Sequence, residues 1–187
     1  MTTLAIDPSL SCTGYAALTG DTLDGSRVIE CGTAKPKADD LFDRLWEIEA
    51  DCLGLLVKFQ PTTVVVERPM DKSFGLIGAR GRISAPNYGM AVWCVYRVAC
   101  EQVGRENIRT PTPAEWVGRG SIPSSQGDKY KEKRVRWVET LYPEWRGRLG
   151  PKTTAGNIAD AILLARWSIG MGAFGRMIGA AGDRRSA

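Results

Sequence analysis

The feature that most constrains this chain is the run TTVVVE at residues 62–67. Its β-branched residues suit a buried strand. Pro61 closes the segment before it and Pro69 prevents its simple continuation, so the strand ends at the carboxylate of Glu67. The chain opens in the same way: Leu4, Ala5 and Ile6 read as a short buried strand, followed by Asp7 and Pro8. A carboxylate at the end of an apolar strand costs free energy unless something binds it. Two strands with that ending ask what the two acids are for.

The remaining elements follow from periodicity and punctuation. Strands are expected at residues 3–7, 13–18 and 27–33, a meander with the turn-rich PSLSC as its first connection. Leu41, Leu45, Ile48, Cys52, Leu55 and Leu56 recur at helical spacing and predict a helix over residues 39–59. Residues 70–86 read as a loop or a ragged helix start, and 87–103 as a strongly apolar helix. A short strand at 107–110 leads through Pro111 and Pro113 into a turn of helix at AEWV. The glycine- and serine-rich GRGSIPSSQGD reads as flexible. A basic helix over 129–142 stops at Pro143, and a last helix starts near Thr154 or Ala155 and carries NIADAILLARWSI. Beyond Gly170 the glycines predict fraying, and 176–187 a flexible basic tail. The order predicts an α/β fold with a mixed sheet, in one domain spanning residues 1–175.

A chain of 187 residues with 43% hydrophobic content can bury a core without disulfides or metal. Histidine is absent, which excludes Ser-His-Asp triads, Cys-His dyads and His-zinc hydrolysis. The five cysteines include no CxxC pair, which suits a reduced, cytoplasmic compartment and argues against zinc. No apolar run approaches the roughly 18–20 residues of a membrane span, and no secretory signal is apparent. Charge is unevenly spread. Residues 1–71 hold 6 Lys/Arg against 12 Asp/Glu, and residues 72–187 hold 19 against 9. A basic C-terminal two-thirds predicts a surface for a polyanion.

A third carboxylate, Asp160, interrupts the otherwise apolar IADAILLARW. If the first and fourth strands are neighbours, Asp7 and Glu67 emerge at the same end of the sheet, and a helix packed across it brings Asp160 there. Like charges in a poorly solvated site repel unless a cation neutralises them. Hard oxygen ligands without imidazole or thiolate point to Mg²⁺ or Mn²⁺. Two such ions are the standard device for in-line attack on a phosphodiester.

The ordered set AIDPSLSCTGY, VVVERP and NIADAILLARW, spanning residues 4–167, resembles the RuvC family of Holliday-junction resolvases, of phage or bacterial type. The resemblance implies a ribonuclease H-like fold, a mixed five-stranded sheet flanked by helices. It also implies a metal-dependent endonuclease that resolves four-way junctions by paired symmetric nicks leaving 5′-phosphates. Asp7, Glu67 and Asp160 would be the metal-binding catalytic residues, with two ions per site. A fourth site residue, usually acidic or histidine, is implied three positions before the last aspartate, where this chain has Asn157. An amide oxygen can ligate Mg²⁺ but brings no charge and cannot act as a base. The opening also resembles the phosphate-binding turn of actin-like kinases, a two-domain architecture that this length excludes.

In the resolvase family a loop after the second acid inserts a side chain at the crossover. Met70 and Phe74 are the candidates here. Arg68, Lys72, Arg80 and Arg82 would flank the crossover, and Lys129, Lys131, Lys133, Arg134 and Arg136 would grip phosphates along the arms. Arg119 lies near the position of the family's active-site lysine, and Lys152 is a further candidate to offset transition-state charge. Symmetric cutting implies a two-fold homodimer. The helix over 88–103, with Met90, Trp93, Val95 and Tyr96, is the candidate interface. Two other readings keep the same residues: a branched-DNA, flap or RNA-processing nuclease of this fold, and a junction-binding protein whose chemistry Asn157 has impaired.

Overall fold

A computed structural model describes residues 1–68, 79–117 and 130–183, the side chains of 79–85 and 173–183 excepted. Strands β1 (Thr2–Asp7), β2 (Thr13–Thr19) and β3 (Arg27–Ala34) form an antiparallel meander. Helix α1 (Leu41–Phe59) then crosses back, and β4 (Thr63–Val66) pairs parallel with β1. Helix α2 (Ala79–Val103) precedes the short β5 (Ile108–Arg109), parallel to β4. Helices α3 (Pro113–Val117), α4 (Tyr130–Leu141) and α5 (Lys152–Asp183) follow. The sheet has five strands in the order β3-β2-β1-β4-β5, mixed as expected.

Side chains alternate across this sheet with period two. Leu4, Ile6, Ala17, Val64 and Val66 face α1 and α2, where Leu45, Ile48, Cys52, Leu56, Val95 and Val98 complete one core. Ala5, Ala16, Leu18 and Val65 face the other way, onto Trp116 of α3, Val138 of α4 and Ile158, Ala159, Ile162 and Leu163 of α5. Local chemistry supports these elements. Asp40 caps α1, its carboxylate accepting from the backbone N–H of Phe42 (2.7 Å) and Asp43 (3.3 Å). Gln60 takes the left-handed conformation, φ 43°, that ends the helix before Pro61.

Helix α2 begins at Ala79, so of the two readings of residues 70–86 the helix start holds from there, with Pro86 inside it. A proline inside a helix removes one backbone hydrogen bond but keeps a helical φ, so the helix passes through it. The last helix differs from expectation. Helix α5 begins at Lys152 and runs past Gly170 to Asp183. Gly170 lies against the side chain of Leu23, which a Cβ there would meet at 3.1 Å; tertiary contact extends the helix where glycine alone would end it. Among the described residues no helix is long and apolar enough to cross a membrane.

Candidate active site

The register of β1 against β4 decides where the first two acids go. Ala5 pairs with Val65 and Ile6 with Val66, and the Glu67 N–H continues the ladder by donating to the Ile6 carbonyl at 3.1 Å. Asp7 and Glu67 therefore leave the sheet side by side. By alternation from Ala5 and Val65, both belong to the α5 face.

The approach of α5 depends on a glycine. Gly14 of β2 is the partner of Asp7 in the ladder, and a Cβ on it would meet the Asn157 carbonyl oxygen at 2.4 Å. Only glycine lets the helix backbone come this close to the strand end. Asn157 then donates from Nδ2 to the Cys12 carbonyl at 3.0 Å, tying the turn after β1 to the helix. One turn further along, Asp160 is buried beside the two strand acids.

Proximity of the three acids registers in their protonation. Burial, then the charges of Glu67 and Asp160, hold the Asp7 carboxyl well above the usual carboxylate range, while Lys131 and Arg134 pull it back. Burial pushes Glu67 up to about 7, against a hydrogen bond from Trp116 that lowers it. Asp160 is raised by burial and held down by Arg134 and Lys131. On α2, burial raises the Tyr88 phenol, with the charges of Glu67 and Asp7 as the next causes.

Two cations answer the acids, both from α4. Arg134 Nη1 donates to Asp160 Oδ1 at 2.7 Å, a fully buried ion pair. Its guanidinium lies 4.9 Å from the ring centroids of both Trp116 and Tyr130. Trp116 Nε1 in turn donates to Glu67 Oε2 at 2.7 Å. Lys131 Nζ donates to Asn157 Oδ1 at 2.7 Å. The amide thus has both ends engaged.

The all-oxygen donor set of three electrostatically linked carboxylates fits a hard divalent cation. Among the described residues no three acidic, thiol or imidazole side chains stand in position to share one ion as they are placed here. Asp160 is turned to Arg134.

The basic residues expected at DNA are placed as follows. Arg68 is folded back on the segment before α3: its Nε donates to the Thr110 carbonyl at 2.8 Å and its Nη2 lies 3.9 Å from Glu115 Oε2. Arg80 and Arg82 lie in the first turn of α2. Lys133 and Arg136 are exposed on α4, and Lys152 is exposed at the first turn of α5. Lys152, Lys131 and Arg136 border a groove of about 330 Å³ floored by Val135, Ala155 and Gly156. Met70, Lys72, Phe74, Arg119 and Lys129 lie outside the described residues. Arg134 corrects an expectation: it was grouped with residues gripping phosphates along the arms, but it is 3% exposed.

Sequence reasoning missed Trp116, Tyr88, Gly14 and the inward role of Arg134. One signal was present. Tyr130, Arg134 and Val138 recur every four residues on α4, and an apolar face at that spacing would have turned Arg134 inward with Val138. Trp116 carried no such signal, since a turn of helix after a short strand does not say what its indole meets.

No protein-family model matches this chain, and no curated protein matches its sequence. Solved structures do. The Thermus thermophilus RuvC bound to a Holliday-junction substrate superposes with a TM-score of 0.70 at 19% identity, over 94% of this chain and 96% of that one. The same organism's RuvC in another structure gives 0.62 at 19% identity, over 95% and 96%. The yeast mitochondrial Holliday junction resolvase Ydc2 gives 0.62 at 14% identity, over 91% and 78%. These likenesses show that the chain has the ribonuclease H-like fold expected of it.

Proposed function

We propose that this chain is a resolvase of the RuvC type: a metal-dependent, structure-selective DNA endonuclease that cuts four-way junctions by paired symmetric nicks. The observation that carries this reading is the convergence of Asp7, Glu67 and Asp160 at one end of the sheet, all three carboxyls raised by burial and those of Asp7 and Glu67 also by neighbouring acids. The likeness to structures named as resolvases supports the choice of substrate. The basic balance of residues 72–187 supports a polyanionic partner.

Asp7, Glu67 and Asp160 are the residues that would hold Mg²⁺ or Mn²⁺. A divalent cation there would offset the repulsion among the acids, draw a phosphate oxygen into the site and make water a better nucleophile. The chain's own residues do the rest. Glu67, fixed by the Trp116 indole at 2.7 Å, would orient the ion toward the attacking water. Lys131, held by Asn157, offers an ammonium to the phosphate as negative charge builds on it. Water adds to phosphorus and gives up a proton to solvent, the 3′ oxygen leaves and takes a proton from solvent as the 3′-hydroxyl, and the 5′-phosphate stays on the product, ready for ligation.

Two nicks in opposed strands need two sites related by a two-fold axis, so we place a second copy against the α1–α2 layer. Trp93 is 62% exposed on α2 and stacks at 6.0 Å on Tyr96, and Phe42 and Trp46 of α1 are 71% and 75% exposed. Val95, expected at this interface, belongs instead to the chain's own core.

An end-labelled four-way junction, beside a linear duplex of the same sequence, tests the reading with Mg²⁺, Mn²⁺ or EDTA. Symmetric nicks near the crossover that need metal and vanish with Asp7→Asn are expected. The engaged amide of Asn157 favours one second reading, a junction-binding protein without cleavage. It predicts tight junction binding and no cut in either metal.

A further inference from the structure

The site carries its own fixed cation. Among the described residues, Asp7, Glu67 and Asp160 bring three acids to the site, and Arg134 and Lys131 set two cations against them. Asn157, one turn before Asp160, adds no charge, and Arg134 occupies one of the three acids.

Arg134 is not placed to swing away. It is 3% exposed, bonded to Asp160 at 2.7 Å, and clamped between the Trp116 and Tyr130 rings at 4.9 Å each. Trp116 is itself pinned by its bond to Glu67. Glu67, Trp116, Arg134 and Asp160 thus form one continuous bracket across the acids. The Arg134 Nε is buried without a hydrogen-bond partner among the described residues, a cost that a purely packing role would not require.

We infer that this site takes one divalent ion rather than two, with the Arg134 guanidinium standing as the second positive centre. Resting on the resolvase reading, the inference names how that site is charged. Three acids are balanced by Arg134 and one dication, and Lys131 is left to meet the single charge of a phosphodiester. Arg134 is a positioning residue here: it fixes Asp160 and excludes a second ion.

The test counts ions directly. The full chain is titrated with Mn²⁺ and free ion is read from its paramagnetic resonance signal, with the Asp7→Asn chain subtracted as background. One site-dependent Mn²⁺ per chain is expected. Arg134→Lys should keep that count, because the charge remains, whereas Arg134→Met should admit a second Mn²⁺ or tighten its binding at least tenfold. Two ions in the unaltered chain, or an unchanged count of one in a folded Arg134→Met chain, would overturn the inference. If circular dichroism shows Arg134→Met unfolded, the unaltered chain and Arg134→Lys still decide it. Metal-dependent junction cleavage with two ions bound would sink the one-ion assignment alone. No Mn²⁺ binding together with no cleavage would sink both it and the resolvase reading.

Discussion

The two faces of the sheet use the same strands and solve different problems. Toward α1 and α2, β1 and β4 present the larger side chains Leu4, Ile6, Val64 and Val66. Toward α5 they present Ala5 and Val65, beside Gly14 and Ala16 of β2. Small residues let α5 come close enough for Asp160 to reach Asp7 and Glu67. The first face buries mainly apolar groups and leaves Phe42, Trp46 and Trp93 exposed on its outer side. The second buries titratable acids, which burial raises and Arg134 and Lys131 pull back down. Both faces bury an apolar core, and only the second also gathers the acids.

The difference can be broken at its strongest point first. Asp7→Asn should abolish cleavage, about a thousandfold or more as expected for loss of an essential charge, while leaving the melting temperature equal or higher because a repelling acid is gone. A melting temperature well below that of the unaltered chain would show Asp7 to be structural. Ile48→Ala on the α1 face should do the reverse: about 2–5 kcal/mol lost in denaturant unfolding, with Mn²⁺ affinity retained in the folded fraction. Gly14→Ala should strike both properties, costing about 1–3 kcal/mol as an overpacking change and lowering cleavage by displacing α5. If cleavage is untouched, the close approach is not what places Asp160.

Smaller effects sharpen the comparison. The Glu67 carboxyl is raised to about 7 from an ordinary 4.5, so the folded chain binds its proton more tightly than the unfolded chain. Its contribution to stability is complete below about 4.5 and is lost as pH rises through about 7. Metal-free melting temperature should therefore fall across that window, and Glu67→Gln should flatten the fall. In Trp116→Phe, loss of the indole donor should move the acid limb of the pH–rate profile to higher pH, since that bond favours the carboxylate. Trp93→Lys should change unfolding free energy by only about 0.5 kcal/mol, as exposed substitutions do, but, if the proposed α1–α2 interface holds, shift sedimentation from dimer to monomer.

Much of the architecture was legible because it depends on local pattern. TTVVVE, the helical stripe of α1 and the stops at Pro61 and Pro143 reflect period and backbone chemistry that act within a few residues. Asp7, Glu67 and Asp160 stood out because an acid against an apolar run is anomalous wherever it is packed. The ends of α2 and α5 were less legible: Pro86 and Gly170 are stop signals whose weight depends on what the helix lies against.

What the sequence by itself determined is the set of parts: three acids at element ends, no histidine, and a basic later region. Only the tertiary structure decided their partners. Arg134 and Arg136 are chemically alike and two residues apart, yet one is sealed between two aromatic rings against Asp160 and the other stands in solvent. The physical reason is that a charge takes its meaning from its surroundings. Burial and neighbouring charge set whether it binds, balances or merely solvates, and both come from elements far apart in the chain.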